Sequence, residues 1–267
     1  MTTRFDGINR LYGDQASTIL HAAHVCVVGL GGVGSWAVES LARTGIGHLT
    51  LIDHDVIAES NINRQLPATD STIGQKKSAI LKQRVLDINP SCQCDIIDDF
   101  INTDNLWDYF YSEQKKGQDF SLKYDFVIDA IDSIKFKSAL IYFCRRNKMP
   151  VITTGGAGGI TDPSTVKVKD LSRTVNDALA ARVRSQLRDE YGFTKNCKRY
   201  FGVECVYSDQ QKYYPDQKGG VSNRKPGIHG VHLDCRFGYG AASYVTASFA
   251  FLAVSRVIDK LLKKNSG

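Results

Sequence analysis

Val25-Cys26-Val27-Val28-Gly29-Leu30-Gly31-Gly32-Val33-Gly34-Ser35 is the stretch on which the fold turns. A continuous apolar run, as a strand buried on both faces requires, stops at a glycine cluster, and an apolar helical pattern starts directly after it. Gly29, Gly31 and Gly34 spell G-x-G-x-x-G, a turn that lets backbone approach phosphates at a helix N-terminus. Nineteen residues past Gly34, a second strand-like run, His48–Ile52, ends on Asp53, where a nucleotide-binding βαβ unit places its ribose carboxylate. The glycines alone do not separate NAD, FAD, S-adenosylmethionine and ATP.

Working outward, strand and helix patterns alternate through residue 154. The periodicity predicts strands at 25–28, 49–52, 92–97, 124–131 and 151–154, and helices at 32–44, 73–89, 103–116 and 133–147. Asp53–Thr72 is a polar connection too long for a simple βα loop. The predicted fold class is α/β: a Rossmann-like open sheet, parallel in its N-terminal half, extended by strands of the C-terminal half, with helices on both faces. Residues 1–160 form a nucleotide-binding domain in this reading, and 161–267 a continuous extension. That extension holds an exposed strand at 166–169, a basic helix at 177–191 and a loop at 216–230. Phe237–Ser255 carries no charge, yet its glycines, serines and alanines make it mildly apolar. It reads as a helix buried in the core or a dimer interface, with peripheral membrane association as the alternative.

The seven cysteines are odd in number and irregular in spacing, and no Cys-x-x-Cys occurs, so zinc is not expected. Residues 1–20 lack an apolar signal core, which makes a reduced cytoplasm the expected compartment. The net charge of +6 is unevenly placed: 13 Lys/Arg face 7 Asp/Glu between Thr165 and Lys225, and 21 face 21 elsewhere. Such a block fits either a polyanionic partner such as RNA or a solvated face.

The residues after Asp53 choose the nucleotide. A triphosphate needs cations and amides, and Arg64 offers a forked donor, Asn61 an amide and Lys77 a point charge. Asp132, just past the fourth strand, stands where open α/β sheets bind ligands and can hold Mg2+.

Five motifs in order, GLGGVGS (29–35), LIDHD (51–55), SNINRQ (60–65), GQKK (74–77) and IDAIDS (128–133), resemble the adenylating domain of the ubiquitin-activating, ThiF and MoeB superfamily. The resemblance implies an enzyme using ATP and Mg2+. Gly29, Gly31, Gly32, Gly34, Asp53 and Asp55 would shape the nucleotide site. Asn61, Arg64 and Lys77 would hold phosphates, Asp132 the Mg2+, and Arg10 would enter the partner subunit's site of a homodimer. Superfamily members that adenylate carrier proteins bear two Cys-x-x-Cys pairs, which this chain lacks. LARTGIG (41–47), YFCRRNK (142–148), TTGGAGG (153–159) and the tail from Leu233 to Phe249 are instead similar to the tRNA threonylcarbamoyladenosine dehydratases. That group adenylates the threonyl carboxylate of the modified adenosine beside the anticodon, then closes it to a cyclic hydantoin. Residues 165–225 would then meet tRNA.

The same resemblance implies a monovalent cation, Na+ or K+, on the backbone of Thr154–Gly159, where a tight turn is the plain reading. It also raises Cys235 as a nucleophile or persulfide carrier beside a cysteine desulfurase and sulfur-acceptor system, whereas Cys205 reads as core. Adenylation of a sulfur-carrier protein's C-terminus is the alternative activity, and a non-catalytic nucleotide sensor the alternative class.

Overall fold

In the computed structural model, which describes residues 3–112, 121–216, 219–224 and 240–264, the alternation from residue 24 onward builds one seven-stranded sheet. Its strands are β1 (His24–Val28), β2 (His48–Ile52), β3 (Gln93–Ile97), β4 (Phe126–Asp129), β5 (Val151–Thr154), β6 (Val166–Asp170) and β7 (Glu204–Ser208). They lie in the order β3-β2-β1-β4-β5-β7-β6. All neighbours are parallel except β6, which pairs antiparallel with β7 and closes one edge. The helices are α1 (Asp6–Tyr12), α2 (Ala16–Ala22), α3 (Gly34–Arg43), α4 (Lys77–Ile88), α5 (Leu106–Phe110), α6 (Ile134–Arg146), α7 (Ala178–Asp189) and α8 (Ser243–Lys264). β8 (Tyr214–Pro215) and β9 (Val221–Ser222) form a small separate hairpin.

Side chains of β1 alternate between two cores, as the two-residue strand period requires. Val25 and Val27 join one core with Leu41 of α3, Leu81 of α4 and Phe249 of α8. Cys26 and Val28 join the other with Phe110 of α5, Leu140 of α6 and Val183 of α7. Helices therefore cover both faces, and the strands next to the switch point, β1 and β4, read as nearly unbroken apolar runs because neither face meets water. Glu39 of α3 ties α4 to the first layer by accepting from Arg84 Nε at 2.6 Å, and it also accepts from Arg43 at 2.7 Å.

Several predicted boundaries shift. The helix expected from 73 begins at Lys77, because Gly74 takes φ +83° and donates its amide to Ile57 O, while Val56 and Lys76 form a bridge. The helix expected over 103–116 ends at Phe110, and Tyr111 instead bridges to Leu122. Residues 204–208, read from sequence only as part of a polar stretch, form β7, an interior strand between β5 and the β6 edge. The uncharged run 237–255 enters α8, which carries on to Lys264. Among the described residues no helix is long and apolar enough to cross a membrane. Part of the loop read at 216–230 lies outside the described residues; Val221–Ser222 within it pair with Tyr214–Pro215.

Candidate nucleotide site

β1 pairs with β2 on one side and β4 on the other, so the strand order reverses between β1 and β4. Ligands of open α/β sheets bind outside the carboxyl ends of strands at such a point. The glycine loop leaves β1 there. Gly29 takes φ +84°, and a Cβ on it would lie 2.9 Å from Ala130 O, so only glycine fits against the β4 turn. A Cβ on Gly34 would lie 1.8 Å from Gly29 O, so the loop folds onto the first turn of α3. Gly31 differs: its nearest neighbour would be Gln65 Nε2 at 3.8 Å, leaving one bare stretch of backbone open as a cradle.

Asp53 closes this loop onto β2. Its carboxylate accepts from the Leu30 amide at 2.6 Å and from the Asp55 amide at 2.7 Å. Two carboxylate oxygens offer about four acceptor positions, so capacity for two more donors remains, the number a ribose diol supplies. The 59–65 strap lies over the loop. Arg64 Cγ would stand 3.5 Å from a Gly32 Cβ, and Arg64 Nη1 donates to Ser60 O at 2.6 Å and Asn63 Oδ1 at 3.1 Å. Asn61 is buried and accepts from the Ala58 amide at 3.1 Å, which holds the strap's turn. Lys77 is buried at the start of α4, with Nζ on Asp55 Oδ2 at 2.7 Å; His54 Nε2 reaches the other Asp55 oxygen at 3.1 Å. Asp53, His54 and Asp55 bring one ligand atom each within 4.8 Å of one another, beside the loop.

Asp132 stands exposed past β4. Its turn is anchored from beneath: Asp129 Oδ1 accepts from the Ile131 amide at 3.1 Å, and Asp129 Oδ2 accepts from Lys137 Nζ at 2.8 Å and Thr153 Oγ1 at 2.6 Å. Asp129, Lys137 and Thr153 are all fully buried. Sequence reasoning passed over this triad, and Gln65 as well. Gln65 is buried beside Gly31, and its Oε1 has no hydrogen-bond partner among the described residues. The only cue to it in the sequence was its place beside Arg64 in the strap.

Arg10 is expected in the partner subunit's site rather than in its own. Arg10 is exposed on α1 and makes no hydrogen bond or ion pair with a site residue among the described residues. Cys205 is fully buried on β7, and burial pushes its thiol well up, which suits the core role expected of it. Cys235 lies outside the described residues. On the Thr154–Gly159 turn, Gly156 O accepts from Lys212 Nζ at 2.6 Å and Gly159 O accepts from the Tyr213 amide at 2.8 Å. Two carbonyls of this turn thus each accept one hydrogen bond from the chain itself.

The chain matches the ThiF family over residues 7–267. It is 51% identical to the tRNA threonylcarbamoyladenosine dehydratase of Haemophilus influenzae, covering 98% of this chain and 95% of that one. It is 46% identical to the enzyme of the same name from Escherichia coli, covering 98% and 94%. The crystal structure of E. coli TcdA in complex with ATP superposes with a TM-score of 0.84 at 43% identity, over 99% of this chain and 96% of that one. E. coli MccB with ATP shares the fold alone, at 19% identity and a TM-score of 0.62. With a switch-point glycine loop, a carboxylate that closes it onto β2 and a polar strap in place, and with relatives matched from end to end, the chain belongs to the ThiF family, in the group those dehydratases form.

Proposed function

We propose that this chain uses ATP to dehydrate N6-threonylcarbamoyladenosine beside the tRNA anticodon to its cyclic hydantoin form. The observation that carries the reading is the convergence of three polar side chains on the glycine loop: Asp53 at the Leu30 amide, Gln65 beside the open backbone of Gly31, and Arg64 against Gly32. A hydride-transferring enzyme does no chemistry at the phosphates of its cofactor. An enzyme that drives attack on a phosphorus does.

In this reading Asp53 receives the ribose hydroxyls, and the loop amides take the phosphates with Arg64 and Gln65 above them. Lys77, exchanging Asp55 for a phosphate oxygen, adds a point charge, while Asn61 keeps the strap in shape. Asp132 would hold Mg2+ through a hard carboxylate oxygen, and the ion would supply charge neutralisation at the phosphates. A threonyl carboxylate oxygen bonds the α-phosphorus as the bond to pyrophosphate breaks, and Arg64 and Lys77 stabilise the negative charge that builds up. A nitrogen of the same modified side chain then bonds the acyl carbon, gives up its proton, and expels AMP together with the carboxylate oxygen. The nucleoside has lost one water overall.

The enzyme works as a cytoplasmic homodimer whose Arg10 completes the second copy's site, and the basic block 165–225 is its tRNA face. Residues 1–160 and 161–267 act as one catalytic unit. The test uses the full chain with ATP, Mg2+ and tRNA carrying the modified adenosine, read as nucleoside masses. Product lighter than substrate by one water is expected. Arg64→Ala should slow its formation by about 10²–10³, the usual effect of removing one such donor. An unchanged rate would remove Arg64 from the site, and no product with wild type would overturn the reaction assigned.

A further inference from the structure

After β5 the chain turns through Thr154-Gly155-Gly156-Ala157-Gly158-Gly159 around two buried charges. Asp177 accepts from the Gly156 amide at 2.9 Å through one oxygen, and through the other from the Ala180 amide at 2.9 Å, which caps α7. Lys212, after β7, reaches the same turn from the other side and donates to Gly156 O at 2.6 Å. Lys212 is 6% exposed and Asp177 4%. Both side chains press close on the glycines: a Cβ on Gly155 would lie 2.1 Å from Asp177 Oδ2, and one on Gly156 2.9 Å from Lys212 Nζ. The Lys212 backbone is held too, its carbonyl accepting from Asn223 Nδ2 at 3.2 Å.

We propose that the Lys212 ammonium is the built-in cation of this turn, doing from within the chain the work that a bound Na+ or K+ would do on the Thr154–Gly159 carbonyls. A cation on a carbonyl turn neutralises the converging oxygen dipoles and fixes the turn's shape. The ammonium does this at Gly156 with a charge-assisted hydrogen bond, the stronger kind. A second cation on that oxygen would face the ammonium's charge at close range in a buried setting, where like charges repel far more than in water. Burial itself disfavours the charged form of Lys212, and the nearby Asp177 carboxylate opposes that effect. The turn is therefore independent of which monovalent ion the solution contains. The inference concerns the turn's architecture and stands apart from the tRNA reaction, since its readouts include melting and ion binding.

The test compares the full-length wild type with Lys212→Ala in KCl, NaCl and choline chloride at equal ionic strength. For wild type, the melting temperature should be the same in all three salts, nucleotide affinity should vary less than twofold, and thallium(I) NMR should detect no bound ion. Lys212→Ala should melt several degrees lower in choline chloride, and K+, Na+ or ethylammonium, which refill the vacated position, should restore part of the loss. A wild type that needs K+ or Na+, or that binds thallium(I), overturns the proposal. So does a Lys212→Ala variant that melts as wild type does in choline chloride, or whose loss no cation repairs. Should that variant not fold, the three-salt comparison and the thallium measurement on wild type decide the question unaided.

Discussion

The buried Asp129–Lys137 pair beneath the Asp132 turn gives the sharpest energetic prediction. Lys137→Met keeps the aliphatic stem and removes the ammonium. Thr153 Oγ1 and the Ile131 amide still donate to Asp129, but a carboxylate with no water is then left without its counter-charge. Removing one partner of a buried pair costs about 3–5 kcal/mol. A chain of roughly this size loses about 2–4 °C per kcal/mol, so melting should fall by on the order of 10 °C. The strain should also reach the site, because Asp129 O accepts from Thr154 Oγ1 at 3.2 Å and its Oδ1 holds the Ile131 amide next to Asp132. Removing both charges in Asp129→Asn with Lys137→Met keeps an acceptor for Ile131 and leaves no orphan ion, so the double variant should be the more stable of the two. Urea unfolding and calorimetry of wild type, Lys137→Met and the double variant measure this directly. If Lys137→Met costs less than about 1 kcal/mol, or if the double variant is no better than the single one, the pair is not an electrostatic unit and the reasoning fails.

Other consequences can be checked as readily. His24 stacks on His48 with ring centroids 3.3 Å apart, and burial, followed by the neighbouring His48, lowers its pKa from 6.5 to about 4. The unfolded chain therefore takes up this proton first, so stability present at neutral pH is lost as pH falls from about 6.5 toward 4, by on the order of 3 kcal/mol. The gap in urea midpoint between wild type and His24→Phe should change across that window, and a constant gap refutes the assignment. Gly31→Ala should leave melting within a few degrees yet weaken ATP binding by tenfold or more, or about 1.4 kcal/mol, whereas Gly34→Ala should damage both. Equal melting losses for the two would mean that the Gly31 cradle is not open. Lys198 and Arg199 are exposed in the basic block, and replacing either by Ala should lower the salt slope of tRNA binding by about 1. An unchanged slope places the RNA elsewhere.

The parts of the fold visible in the sequence are those where one physical demand dominates. Val25–Val28 had to be apolar throughout because helices cover both its faces, and Gly29 and Gly34 had to be glycine because backbone lies where a Cβ would go. Asp53, Arg64 and Lys77 were legible for a different reason, the rarity of that polar set in one order after a glycine loop. What stayed hidden depended on partners distant in sequence. Lys137 reads as a solvated helix charge until β4 and β5 bring Asp129 and Thr153 to it. The start of α4 was blurred because Gly74 and Lys76 are claimed by the 56–57 segment rather than by the helix. β7 is only five residues long and is flanked by polar, glycine-bearing stretches, so its place between β5 and β6 came from sheet pairing alone.

α8 has one more consequence, in the order in which the molecule is made. Thr246 Cγ2 would stand 3.2 Å from a Gly32 Cβ, Thr246 Oγ1 donates to Arg64 O at 3.2 Å, and Asn63 Nδ2 donates to Ala241 O at 2.6 Å. The phosphate loop and its strap thus rest on residues translated long after them. A ribosome-stalled chain lacking residues 243–267 should have all of its nucleotide-contacting residues and still retain no ATP on a filter, and retention equal to that of the released protein would contradict this. Premature termination therefore yields an inert fragment rather than a partial enzyme that hydrolyses ATP without a substrate to activate.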